Sequence, residues 1–271
     1  MSFKTILTQV EPDWGSGHAL RAAVQTANRF SAHLVGLAAQ GFDQSSYAFG
    51  DVGLIQVVRE QIDLDLASAE RRFRAATEGA PAGASWISET AYPADAMARH
   101  ARGADLIVAT REPDDSSAAT LCRCADLIMQ GGAPVLVAPD DPEPLAAKRI
   151  VFAWREGREA RKALAEALPF LTQADQVMLV TVRPPDQRLY AETELREIAQ
   201  RLSRHRVSVA VDVLATGHSS VGQKIVEAAH RFHADLIVAG AYSHMRLREW
   251  VLGGVTADLL NQRSKYVLFS H

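Results

Sequence analysis

The hexapeptide "ADLIVA" occurs at residues 104–109 and again at 234–239, once in each half of the chain. Internal self-similarity outranks other signals, because it fixes how many times one folding unit has been written. Both copies follow an amphipathic stretch, "ADAMARHARG" in the first half and "GQKIVEAAHRFH" in the second. Further on, "ADLIMQGGAPVLVAP" from Ala125 mirrors "ADLLNQRSKYVLFSH" from Ala257. The openings correspond as well, "KTILTQV" from Lys4 with "KRIVFAW" from Lys148. Landmarks in the same order predict a duplicated domain, with residues 1–141 and 148–271 as the two units. The joint between them, "PDDPEPLAAK", has the proline and acid content of a linker.

Short apolar runs alternate with longer amphipathic segments in each half. The first half predicts strands near 5–10, 33–38, 85–91, 105–109 and 134–138; the second near 149–154, 176–182, 207–215, 235–239 and 266–270. "DLIVA" and "PVLVA" are apolar at consecutive positions, which suits strands covered on both faces by helices. Segments such as "GSGHALRAAVQTANRF" and "EGREARKALAEALPFL" read as those helices. The expected architecture is α/β: two tandem doubly wound domains, each with a five-stranded parallel sheet. An insertion at 41–79 carries Ile55, Val58, Ile62, Leu66 and Ala69 at spacings of three and four, one face of a long helix. The loop before it holds Phe42, Tyr47 and Phe49, which either cover a cleft or pack on their own domain.

Composition excludes several functional classes. A formal net charge of −3 over 271 residues gives no basic footprint for nucleic acid. No apolar run has the length of about 20 residues that spans a membrane, and the N-terminus lacks a signal-peptide pattern, so a cytoplasmic protein is expected. Cys122 and Cys124 offer at most two ligands, short of the four a structural zinc usually takes. Both fall in a segment that reads as helix, where neighbours at i and i+2 point apart.

A tandem of five-stranded α/β units, each with "ADLIV" ahead of a loop, resembles the universal stress protein family. The family's loop motif is a glycine, two residues, a glycine, nine residues, then a glycine followed by serine or threonine. In the second half Gly240 opens that pattern, Ser243 stands at the second glycine, and "HMRLREWVL" leads to Gly253 and then Gly254. The resemblance implies an adenine-nucleotide alpha-hydrolase-like fold and a nucleotide site, with ATP or another adenine nucleotide as the cofactor. Carried over residue by residue, that site is Val182, Ala239, Gly240, Ser243, His244, Arg246, Gly253, Gly254 and Val255. Glycines there let backbone amides approach phosphate oxygens, and a helix N-terminus adds its dipole. Arg246 and Arg248 either contact phosphate or stand on a solvated surface.

Two departures weaken the nucleotide reading. Members that bind ATP carry an aspartate just past the first strand; here "FAWREG" puts Arg155 there, after Trp154, and a guanidinium accepts no hydrogen bond from a ribose. In the first half Asp13 is displaced, the motif glycines are missing from "REPDDSSAATLCRCADL", and Asp114 and Asp115 would repel phosphate. The first unit is therefore expected to hold no triphosphate.

Enzyme motifs are absent: there is no nucleophile elbow, P-loop or dinucleotide fingerprint. His230 and His233 supply half a metal site on a probable helix, and "TGHSSV" around His218 reads as an N-cap at Ser219 or Ser220. No catalytic or metal-binding residue is assigned. The expectation is a non-enzymatic stress-response protein acting through a partner or a small ligand. Its alternative is an ATP-binding regulator, with slow hydrolysis at most, using the second unit. The resemblance also implies dimerisation through last strands, so "PVLVAP" and "YVLFSH" are expected to pair in an internal pseudo-dimer, with a homodimer beyond it.

Overall fold

A computed structural model describes residues 2–12, 15–42, 52–111, 122–241 and 253–271. The chain divides into two compact units, Ser2–Pro144 and Leu145–His271. In the first, β1 (Thr5–Gln9), α1 (His18–Phe30), β2 (His33–Ala39), α2 (Val52–Ala76) and β3 (Ala84–Glu89) come first. They are followed by α3 (Pro93–His100), β4 (Leu106–Thr110), α4 (Cys124–Gln130) and β5 (Val135–Ala138). The second opens with β6 (Arg149–Ala153), α5 (Arg158–Leu171), β7 (Gln176–Arg183), α6 (Arg188–Ser203) and β8 (Val209–Ala215). It closes with α7 (Val221–Arg231), β9 (Leu236–Gly240), α8 (Gly254–Asn261) and β10 (Tyr266–Ser270).

Strand pairing is parallel throughout both units. In the first the order is β3-β2-β1-β4-β5. The second repeats it as β8-β7-β6-β9-β10. The first three strands therefore build outward on one side, and the chain then crosses from the third to lay the fourth against the other side of the first. Right-handed crossovers place helices over both faces, which is why the middle of each central strand is buried on both sides. Ile150, Val151 and Phe152 on β6, and Leu236, Ile237 and Val238 on β9, have no exposed surface. Each such side chain contributes on the order of 1.5–3 kcal/mol by leaving water.

The repeated aspartate of "ADLIVA" sits just ahead of its strand and has a structural task. Asp105 Oδ2 accepts from the amides of Lys4 at 2.7 Å and Thr5 at 3.0 Å, and the Asp105 amide returns a bond to the Thr5 carbonyl. Asp235 does the same in the second unit, accepting from Lys148 at 2.9 Å and Arg149 at 3.3 Å and donating to the Arg149 carbonyl. Each aspartate thus sets the register between the first and fourth strands of its sheet.

Two local expectations need correction. Cys122 precedes α4 instead of lying in it: its amide donates to Gln9 Oε1, which holds the segment extended, while Cys124 begins the helix with its thiol on the Thr110 carbonyl at 3.0 Å. His233 lies beyond α7, not on its face. The His233 amide reaches the His230 carbonyl and the Ala234 amide reaches the Ala229 carbonyl, a Schellman ending with His233 left-handed at φ 52°. Ser31 and Arg206 end α1 and α6 in the same way. In the insertion, Ile62, Ala69 and Phe73 on α2 are buried, and the Phe73 ring lies 5.3 Å from Trp86. Of the aromatic loop, the Phe42 carbonyl accepts from the Tyr92 hydroxyl, while Tyr47 and Phe49 lie outside the described residues.

Candidate functional site

In an open parallel sheet the strand ends part where the winding reverses, and that gap is where ligands bind. In the second unit the reversal falls between β6 and β9. A cleft of about 430 Å³ opens there, walled by the ends of β6, β7 and β9 and by the starts of α5, α7 and α8. That size falls in the range of sites for small organic ligands. Six residues expected from sequence come together on it: Val182, Ala239, Gly240, Gly253, Gly254 and Val255. Ser243, His244, Arg246 and Arg248 lie outside the described residues, as do Asp13, Asp114 and Asp115.

The glycines play different parts. A Cβ on Gly240 would stand 2.7 Å from the backbone carbon of Glu159 and 2.8 Å from the Ala160 nitrogen. Gly240 is therefore small because the first turn of α5 packs directly on the end of β9. Among the described residues, a Cβ on Gly253 or Gly254 would meet nothing within 4 Å. These two glycines begin α8 on the cleft, where the first amides of a helix carry no partner within the helix and suit an anion.

Trp154 and Arg155 follow β6. Trp154 is buried, its amide donates to the Val180 carbonyl at 2.7 Å, and its indole nitrogen donates to Glu194 Oε1 at 2.7 Å. Helix α6 thereby fixes the ring against the cleft. Arg155 is exposed at the rim. At the end of β7, Arg183 also lines the cleft, with its guanidinium 4.0 Å from Glu194 Oε2. Glu159, on the first turn of α5, puts one carboxylate on the same wall. Sequence reasoning missed Thr181, Arg183, Glu159, Val221 and Ile225, because only the fold brings them to one place.

The corresponding place in the first unit is nearly closed, at about 20 Å³ between Gln9, Glu11, Thr110, Arg111 and Cys122. Glu11 Oε2 accepts from the Gly17 amide at 3.0 Å and from the Ser16 hydroxyl at 3.4 Å, so a carboxylate of the chain already occupies the start of α1. Arg72 on α2 donates to the Glu11 carbonyl and clamps this loop. Elsewhere, Ser220 caps α7 in a reciprocal box with Gln223, and its hydroxyl donates to Asp258 at 2.6 Å. His218, His230 and His233 stand exposed.

The fold and the cleft together define a parallel α/β domain with an open cleft at its switch point. Residues 146–271, nearly all of the second unit, match the model of the universal stress protein family. Two solved structures are similar over nearly the whole chain. A universal stress protein from Archaeoglobus fulgidus DSM 4304 is 13% identical with a TM-score of 0.74, covering 98% of this chain and 95% of its own. A functionally unknown protein from Pseudomonas aeruginosa PAO1 is 19% identical with a TM-score of 0.62, covering 99% of this chain and 92% of its own. At these identities the likeness is one of fold, and it extends over both units. A search of curated proteins finds no match.

Proposed function

We propose that the chain is a non-enzymatic stress-response protein of the cytoplasm that signals by binding a small ligand in its second unit or by engaging a partner. The observation that carries this reading is the cleft of about 430 Å³ at the switch point, open at Gly253 and Gly254 and flanked by Arg155 and Arg183. No nucleophile paired with a base is placed there among the described residues, so binding is the chemistry that the site supports. An internal pseudo-dimer of the two units, with a homodimer beyond it, belongs to the same proposal.

The second reading is an ATP-binding regulator, with slow hydrolysis at most. It is favoured by the open amides at the start of α8, which suit a phosphate. Two measurements separate the readings. The chain is purified without added nucleotide and denatured, and the released small molecules are identified; ATP or ADP supports the regulator. Titration calorimetry with millimolar ATP and Mg²⁺ that shows no heat at two temperatures removes it. Gly253→Asp, which puts a carboxylate at the start of α8, is expected to abolish nucleotide binding with the fold intact. Unchanged affinity would place the ligand elsewhere.

A further inference from the structure

Thr181 is only 3% exposed and lines the cleft, yet its hydroxyl has no hydrogen-bond partner. Buried polar atoms are nearly always paired, because leaving one unpaired forfeits its bond to water. The strand around it, "VMLVTVR", is otherwise apolar up to Arg183, so one polar atom is set into an apolar wall. Val180, Val182, Val221 and Ile225 also line the cleft. Near the mouth the charges are mixed: Arg155 and Arg183 are positive, Arg183 already faces Glu194, and Glu159 is negative with its side chain 15% exposed. A highly charged polyphosphate would meet Glu159, whereas a single anionic group can take the arginines and the first amides of α8 without it.

We propose that the cleft takes a compact ligand with an apolar body and a single anionic group, and that Thr181 is the specificity-determining residue that hydrogen-bonds a polar atom on that body. This rests on the ligand-binding reading of the second unit and names the chemistry of its ligand. The hydroxyl is without a partner in the empty protein, and rotation of the side chain toward the cleft lets the bound ligand complete it.

Two fluorescent probes of one shape test both halves of the proposal on the full chain. 8-Anilinonaphthalene-1-sulfonate carries an apolar body, a secondary amine and one sulfonate; N-phenyl-1-naphthylamine is the same body and amine without the charge. The sulfonate is expected to bind at one site and the neutral probe about tenfold more weakly or worse. Gly253→Trp, at a position where no described residue lies within 4 Å of an added Cβ, is expected to block the site without unfolding the protein. Thr181→Val is expected to weaken sulfonate binding about fivefold or more. The same change should raise the Tm of the empty protein, because it removes an unpaired buried hydroxyl and keeps the side-chain shape. Thr181→Ser restores binding. Opposite signs for stability and affinity distinguish a ligand contact from a structural threonine.

If Gly253→Trp blocks the probe but Thr181→Val changes neither affinity nor Tm, or lowers Tm, the role of Thr181 is wrong and the cleft reading stands. Equal affinity for the two probes overturns the anionic part. If the sulfonate does not bind, or binds regardless of Gly253→Trp, the ligand-binding reading falls and this inference with it.

Discussion

Gly240 and Gly253 lie on one cleft and answer to different constraints. Gly240 has the backbone of α5 against it at 2.7 Å, and backbone cannot rotate away. Gly240→Ala should therefore destabilise the protein by about 1–3 kcal/mol, read as a lower denaturation midpoint. Gly253→Ala meets nothing among the described residues and should stay within about 0.5 kcal/mol of the parent. Equal losses would mean that packing, not ligand access, sets both positions. Glu166 gives a pH-dependent test at the same scale. Burial raises its carboxyl above the usual 4.5, against the Ser270 hydroxyl and the Lys162 ammonium, which pull it down. A raised acid favours folding most when protonated. That contribution is complete below the unfolded pKa and is lost as pH rises through the folded one. Glu166→Gln removes the charge and keeps an acceptor for Ser270. The variant should gain on the parent in urea titrations as pH rises from about 4 to about 7. A difference that does not change with pH would contradict it.

At the level of elements, three helices among the described residues end on left-handed residues that are not glycine: Ser31, Arg206 and His233. The left-handed region crowds a Cβ, and glycine is the usual occupant of this position. His233→Gly should raise stability by about 0.5–1 kcal/mol in chemical denaturation, since the ring stands exposed and no contact of the core is lost. A loss would show that the imidazole holds the turn. These endings also mark where the sequence was legible and where it was not. All ten strands are readable, because runs such as "DLIVA" are apolar at consecutive positions, and their ends fall within one or two residues of the expected bounds. Asp105 and Asp235 read as strand starts because the repeat includes them; in fact they grip the neighbouring strand from just outside. The end of α7 was misread since no glycine follows it. Thr181 was invisible for another reason. A threonine in a strand is a common β-former, and only the fold shows that its hydroxyl is orphaned against a cleft. The glycine spacing pointed to one wall of the site, and the walls made by β7 and α7 have no motif to announce them.

For the whole molecule, duplication has not produced two equal sites. The same topology holds a cleft of about 430 Å³ in one unit and about 20 Å³ in the other. Glu11 lines the closed one, with its carboxylate turned back onto the Gly17 amide at the start of α1. Whatever ligand is found should bind with a stoichiometry of one per chain in calorimetry. Two equivalent sites would show that Glu11 swings out and that the first unit is competent after all. Asymmetry of this kind leaves one copy under fewer demands from chemistry, free to serve as scaffold.

Asp105 and Asp235 carry a consequence for how the chain comes into being. The first strand of each unit is flanked by its second and its fourth, so one side of it stays bare until the fourth strand arrives. In the first unit the aspartate that fastens this pair lies 100 residues downstream of Thr5. On a ribosome, neither half can finish its sheet until most of that half has left the exit tunnel. The opening strand must wait, half dressed, for a partner not yet made.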